Sequence, residues 1–259
     1  MSNFLKSRIS TREFKNKELN EEYISKIRQL LEEKNKNSKS SFILSLNSKN
    51  IYDSLNGIGG YSGFMIKAPA YIALHTPEND EKAVVEGAFK LESIISELEE
   101  IGLGSCWVTL KDVEDEIKKQ LFGYADGNIF YILAIGLPQR VEFKQRKISE
   151  RIGIDQFVFI NDLNTPASVE ELEARGLDDL FFYLRYAPSA YNKQPWRFVI
   201  KENEVELYVE NFNGVENLID SGIIMYYFKK LSETIGINAI WEISPNNLGN
   251  YEYIAKTRI

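Results

Sequence analysis

The segment from Glu86 to Trp107 recurs in outline from Asp220 to Trp241, at a constant offset of 134 residues. At that offset Glu99 meets Glu233, Ile101 meets Ile235, Gly102 meets Gly236 and Trp107 meets Trp241. Each copy reads as an acid-capped helix, a glycine stop and a returning strand that ends in tryptophan. So long a period points to two half-domains related by a pseudo-twofold axis. The alternative is two ordinary amphipathic helices with glycine caps. On the repeat reading the halves run from about 1–160 and 161–259, intertwined in one unit.

A chain of 259 residues and 29.8 kDa has room for one large domain or two small, intimate ones. Hydrophobic residues at 44% and charged residues at 27% exclude a mostly disordered chain. The net charge of −7 is the wrong sign for non-specific nucleic-acid binding. Cys106 is the single cysteine and His75 the single histidine, which excludes a disulfide framework, a cysteine-based zinc site and a histidine-rich metal site. The expectation is therefore no metal. The first residues, Met1 to Lys6, lack the apolar core of a signal peptide, and no stretch approaches the roughly 20 apolar residues of a membrane span. A soluble cytoplasmic protein with no membrane partner is the default.

Helical and alternating patterns follow one another along the chain. Asn20 caps a first helix carrying Glu21 and Glu22 at its positive end, with Leu19 and Ile24 placed as a hydrophobic staple. Residues 42–46 read as a short strand, 56–63 as a glycine-rich loop able to approach a ligand, and 70–74 as a buried strand. Residues 81–101 hold helical spacing up to the stop at Gly102. A strand over 104–108, a short helix over 114–121 and a strand over 129–136 follow, then a basic segment. In the second half, Thr165 reads as a cap with Pro166 in the first helical position. A helix over 177–186 must stop near Pro188. Residues 197–201 and 205–209 read as paired strands, Asp220 caps a last helix to about 235, and the tail from Pro245 reads as irregular, ending in a strand.

Three clusters could carry chemistry. Arg8, Ser10 and Arg12 alternate in an extended segment, so two guanidinium groups and a hydroxyl share one side, a set that suits phosphate. A solvated basic arm is the plainer reading of that cluster alone. Pro188 and Pro195 bracket a loop with Ser189, Tyr191, Asn192 and Gln194, whose amides can face the donor–acceptor edge of a flat heterocycle; read alone it is a helix terminator and a turn. Lys144 and Arg146 could meet the same anion as Arg8, or form a solvated surface run.

Taken together, these stretches resemble the flavin-dependent nitroreductase family. Arg8-Ile9-Ser10-Thr11-Arg12-Glu13-Phe14 resembles that family's opening motif, and Ala187 to Phe198 its most recognisable loop. Gly102 to Trp107 resembles the glycine-rich segment beside the flavin ring. Ala134 to Pro138, followed by Lys144 and Arg146, resembles its closing strand and second phosphate clamp. In ordinary members the Pro-Ser loop follows soon after the arginine motif and is supplied by the other subunit of a homodimer; here it comes after residue 186. The resemblance thus implies a divergent branch in which one chain mimics the dimer and holds one complete flavin site. The expected fold class is α+β, nitroreductase-like, with a mixed or antiparallel sheet flanked by helices. The expected state is a monomeric pseudo-dimer or a weak homodimer.

Carried over residue by residue, the resemblance implies FMN with its phosphate on Arg8, Lys144 and Arg146. Ser10 and Arg12 would meet the ribityl chain or the pyrimidine edge, where a cation stabilises the reduced ring. The backbone at Thr109 and Leu110 would lie near flavin N5, and Ser189, Asn192 and Gln194 would approach from the second half. The loop at Gly60 to Gly63, which matches no motif of the family, is placed to complete the pyrimidine pocket. No side chain is then the catalytic residue. Hydride would pass from NADH or NADPH through the flavin to a small-molecule acceptor, a nitroaromatic or quinone, by a ping-pong route. A carrier or sensor that binds FMN without efficient turnover is the second reading, and a degenerate scaffold without cofactor the third. Cys106, His75, Trp107 and Trp241 read as structural residues.

Overall fold

The computed structural model describes residues 9–61, 63–139 and 150–259. These form two compact units. One holds residues 9–83 and 90–139, the other 84–89 and 150–259.

In the first unit, helix α1 (Glu21–Asn35) starts where Asn20 Oδ1 accepts the Tyr23 N–H at 3.0 Å. Ile24, Ile27 and Leu31 are its buried stripe. Its last residue, Asn35, clamps strand β1 (Ser41–Ser45) through both backbone groups of Phe42. Then come α2 (Ser48–Leu55), β2 (Ala70–Thr76), α3 (Glu81–Glu100, of which residues 84–89 belong to the second unit), β3 (Gly104–Thr109), α4 (Asp115–Phe122) and β4 (Asn128–Gly136). The sheet is wholly antiparallel, in the order β1-β2-β4-β3. Phe14, Ile51, Leu55, Tyr71, Val108 and Leu110 belong to one buried apolar cluster of this unit. Helix α2 has no counterpart in the sequence reading. It is one polar, uncapped helix of two turns, held by burying Ile51 and Leu55 rather than by propensity.

The second unit runs through α5 (Ile154–Phe157), β5 (Val158–Ile160), α6 (Val169–Arg175), α7 (Asp178–Leu184), a 3₁₀ turn (Ala190–Asn192), β6 (Trp196–Ile200), β7 (Glu204–Glu210), α8 (Val215–Glu233), β8 (Glu242–Asn247) and β9 (Tyr251–Arg258). Its sheet has the order β5-β6-β7-β9-β8, with only the β5–β6 pairing parallel. The rings of Phe157, Phe181, Phe198 and Phe228 interlock at centroid distances of 5.6 to 6.2 Å and fill the core. Every residue of α8 from Glu216 to Phe228 is buried, the mark of an internal helix rather than an amphipathic one.

The two units share one topology. In each, a helix leads into two paired strands, a long helix and two more paired strands, ordered first-second-fourth-third; β5 is an addition. The long helices start at Glu81 and Val215, again 134 residues apart. Their ends match bond for bond. Gly102 and Gly236 sit at φ +82° and +80°, a region that favours glycine, and Leu103 N–H bonds Leu98 C=O as Ile237 N–H bonds Ser232 C=O. Each tryptophan turns its indole N–H back onto the long helix, Trp107 to Glu92 Oε2 and Trp241 to Met225 C=O.

Three sequence expectations are corrected. Asp220 does not cap the last helix: α8 begins at Val215 with Gly214 as its cap, and Asp220 lies in its second turn. Thr165-Pro166 does not open a helix either. Pro166 bridges Phe159 there, and α6 starts at the Ser168–Glu171 capping box, which satisfies two end amides reciprocally. The tail is not irregular but the β8–β9 hairpin. Pro245 is accommodated because β8 is an edge strand whose register skips between Ile243 and Asn246.

Candidate functional site

In the first unit, residues 9–15 lie along the ends of β3 and β4. Ser10 bridges Ser105, Thr11 N–H donates to Ser105 C=O at 2.7 Å, and Lys15 N–H to Leu137 C=O at 2.8 Å. Gln139 N–H returns a bond to Glu13 C=O, and Phe14 is buried in the core. This strap explains Gly104: a β-carbon there would stand 2.4 Å from Thr11 Oγ1 and 2.8 Å from Thr11 Cβ. Gly104→Ala should therefore lift the strap, at a cost of about 1–3 kcal/mol. Hydrogen exchange would read the loss as faster exchange of the Thr11 amide, with the β3–β4 amides unchanged.

The strap presents Arg12 with its guanidinium exposed and without an ion pair or hydrogen bond among the described residues. Beside Ser10, the buried Ser105 Oγ also has no partner among the described residues. At the opposite end of β3, the glycine loop docks through Gly60 N–H to Thr109 C=O at 2.8 Å. Leu110 N–H donates to Phe130 C=O at 2.7 Å. Both backbone groups are thus committed within the protein, and both residues are buried. Arg8, Lys144 and Arg146 lie outside the described residues.

In the second unit, the Pro188–Trp196 loop is fastened from behind. Asn192 Nδ2 and Gln194 Nε2 both donate to Glu150 C=O, while Gln194 Oε1 accepts the Ile152 N–H. Ser189 Oγ accepts the Gln194 N–H at 3.0 Å, which leaves the Ser189 hydroxyl hydrogen to donate elsewhere. The amides expected to face a ligand are therefore spent on holding residues 150–152. They also hold a strained backbone: Tyr191, Asn192 and Gln194 have φ of 52°, 57° and 49°.

Two residues that the motifs did not single out complete this fastening. Arg151 donates to Ala187 C=O at 3.0 Å and to Asn192 Oδ1 at 3.1 Å, and desolvation lowers the pKa of its half-buried guanidinium. Asp220 Oδ1 accepts the Ala190 N–H at 2.9 Å, and its Oδ2 has no partner among the described residues. Burial pushes this carboxyl up to about 8, chiefly by desolvation, with Glu216 raising it and Lys193 lowering it. No local pattern marks Arg151, and the cap pattern at Asp220 points to a different role; both are defined by what the loop brings to them.

The residues read as structural occupy structural places. His75 bonds Asp126 C=O at 2.6 Å through Nε2 and Ser41 Oγ at 3.2 Å through Nδ1, so Nε2 carries a proton. Cys106 is buried and in no disulfide. Among the described residues no cluster of His, Cys, Asp and Glu could hold a metal, and no helix is long and apolar enough to cross a membrane.

Comparison with known proteins agrees with the fold. A crystal structure described as a putative nitroreductase from Thermotoga maritima superimposes with a TM-score of 0.62 at 19% identity, covering 97% of this chain and 91% of that one. An FMN-dependent nitroreductase from Clostridium difficile covers 55% of this chain and 90% of its own, at 21% identity and a TM-score of 0.45. A structure described as a putative NADH oxidase from Clostridium acetobutylicum covers 60% of this chain and all of its own, at 24% identity and a TM-score of 0.44. No curated protein matches. The sequence profile of the family described as "Putative TM nitroreductase" matches residues 1–232. By that match over most of its length, and with the α+β fold to go with it, the chain belongs to this nitroreductase family and is an oxidoreductase.

Proposed function

We propose that this chain is an FMN-dependent oxidoreductase that takes hydride from NADH or NADPH and delivers it to a nitroaromatic, quinone or similar acceptor by a ping-pong route. The observation that carries this reading is the strap of residues 9–15, which fixes its backbone on β3 and β4 while leaving Arg12 uncommitted. A guanidinium, the Ser10 hydroxyl and the orphaned Ser105 Oγ on one edge fit a phosphorylated, hydroxyl-rich cofactor. FMN, when bound, supplies the hydride chemistry, so the chain needs no nucleophile and no metal of its own.

The work left to the residues is binding and orientation. Arg8, Lys144 and Arg146 are proposed to bind the phosphate. Arg12 and Ser10 hold the ribityl chain or pyrimidine edge, with the Arg12 cation favouring negative charge on the ring. Ser189 offers a hydroxyl, while Asn192 and Gln194 act by keeping their loop in its strained shape. Thr109 and Leu110 place the ring edge against the turn that the glycine loop supports.

A visible spectrum of the purified chain with added FMN, followed by anaerobic NAD(P)H, tests the proposal. The expected result is a retained flavin band that bleaches promptly. Arg12→Ala should weaken FMN retention about 10- to 100-fold, the usual worth of a charge-assisted hydrogen bond. A retained band that does not bleach would move the chain to the carrier or sensor class. No retained band would remove the flavin assignment.

A further inference from the structure

The first unit carries a cavity of about 680 Å³, within the size range of small-molecule sites, of whose lining the flavin assignment uses Arg12 alone. It lies between the strap after Arg12, helix α2 and the turn before β2. Its floor is apolar: Phe14, Ala68 and Pro69. Five cations line it, Arg12, Lys15, Lys17, Lys49 and Lys67, against the three carboxylates Glu13, Glu18 and Asp53. None of these eight groups forms an ion pair among the described residues. On a chain of net charge −7, a concave surface with surplus positive charge and unpaired cations is a local exception. It also holds one half-buried aromatic ring, Tyr52, with Lys67 Nζ 5.9 Å from its centroid.

We propose that this cavity binds the adenosine 2′-phosphate end of NADPH, so that the chain selects NADPH over NADH. The proposal rests on the reading of the chain as a nicotinamide-driven reductase. Its chemistry is that of the cavity. The 2′-phosphate is a dianion near pH 7 and is the group by which NADPH differs from NADH, so unpaired lysines discriminate between the two by charge. The Tyr52 ring and the apolar floor suit the flat adenine, and a cation beside an aromatic ring suits a base and phosphate bound together. Lys49, on the first turn of α2, and Lys67, before β2, are the cations assigned to the phosphate. Arg12 lines the cavity too, but is left out of the test because it is assigned to the flavin.

The test is calorimetric titration of the full chain with 2′,5′-ADP and with 5′-AMP, together with steady-state kinetics for NADPH and NADH. The expected result is that 2′,5′-ADP binds at least about tenfold more tightly than 5′-AMP, with an advantage that shrinks as salt screens the lysines. Lys49→Ala with Lys67→Ala should remove most of that advantage and raise the KM for NADPH by about tenfold, leaving the NADH values and kcat unchanged. Lys49→Arg with Lys67→Arg should restore it. Equal binding of the two nucleotides, or a preference that survives loss of both lysines, overturns the proposal. The titration needs no flavin, so the two readings fail separately. A chain without flavin that still binds 2′,5′-ADP through Lys49 and Lys67 loses the reductase reading and keeps the cavity. A chain that bleaches with NADPH but binds both nucleotides alike does the reverse.

Discussion

Gly222→Ala is expected to lower the melting temperature by about 6–12 °C, the shift that a loss of about 3 kcal/mol produces in a chain of this size. Alanine in a helix interior ordinarily gains about 1 kcal/mol over glycine, and Gly222 lies inside the 19 residues of α8. Here the sign reverses. A β-carbon at Gly222 would stand 2.4 Å from the Val85 carbonyl oxygen, 2.6 Å from Ala88 Cβ and 2.7 Å from the Phe89 amide nitrogen. Two of those atoms are backbone, held in the hydrogen-bond ladder of α3 from which they cannot swing aside. The packed neighbour Phe89 meets Tyr226 edge-on at 5.5 Å, so separating the helices at Gly222 also opens an aromatic contact one turn on. A thermal melt decides the matter. An unchanged or raised melting temperature would mean that propensity outweighs the close approach. Gly236→Ala, at the open end of the same helix, serves as the comparison, since no atom lies within 4 Å of its added carbon and its cost comes from φ alone.

The likeness of the two helix ends was legible because glycine stops and tryptophans are rare, position-specific signals. Gly102, Gly236, Trp107 and Trp241 found the 134-residue offset that the long helices keep, while the strands of the two units agree in their order and not in a constant spacing. Strands with continuous apolar runs were legible for the same reason; β2 and β4 lie within a residue or two of where their patterns placed them. What the sequence hid was whatever depends on partners far along the chain. Helix α2 has neither cap nor long stripe, and two buried residues decide it. Glu92 is wholly buried, and nothing local marks it; its place is set by the Trp107 indole that donates to it. Lys118 likewise carries no local mark, and it is 2% exposed and bonds Asn128 Oδ1 at 2.6 Å and Asp115 Oδ1 at 2.7 Å. In the candidate site, the two motifs located the strap and the loop, but residue type did not reveal which way the side chains turn. Asn192 and Gln194 carry the chemistry expected of ligand-facing amides and spend it on the backbone of Glu150 and Ile152.

Asp220 gives the second large effect, and its sign runs against the usual carboxylate. An acid before an apolar helical run is a cap signal, but here five residues of α8 precede it and its carboxyl is buried against the Pro188 loop. In the unfolded chain an aspartate titrates near 3.9; in the fold burial pushes Asp220 up to about 8. The folded state therefore binds the extra proton between those values. The stability this group contributes is full below about pH 4 and is lost as pH rises through about 8, at up to about 1.4 kcal/mol per unit. Glu216, on the preceding turn, pushes in the same direction, and Lys193 on the loop opposes it. Asp220→Asn keeps the shape and an oxygen for the Ala190 N–H but cannot titrate. Urea unfolding at pH 5, 6.5 and 8 should then show the native chain losing stability relative to the variant at each step, until the variant is the more stable of the two. A difference that stays constant over that range would place the Asp220 titration outside it. The outcome bears on function because the same carboxyl holds the backbone of the loop that carries Ser189. Above pH 8 the cost of a buried charge falls on the element proposed to receive the cofactor, so weakening of the loop with rising pH in the native chain should be absent from the Asp220→Asn variant.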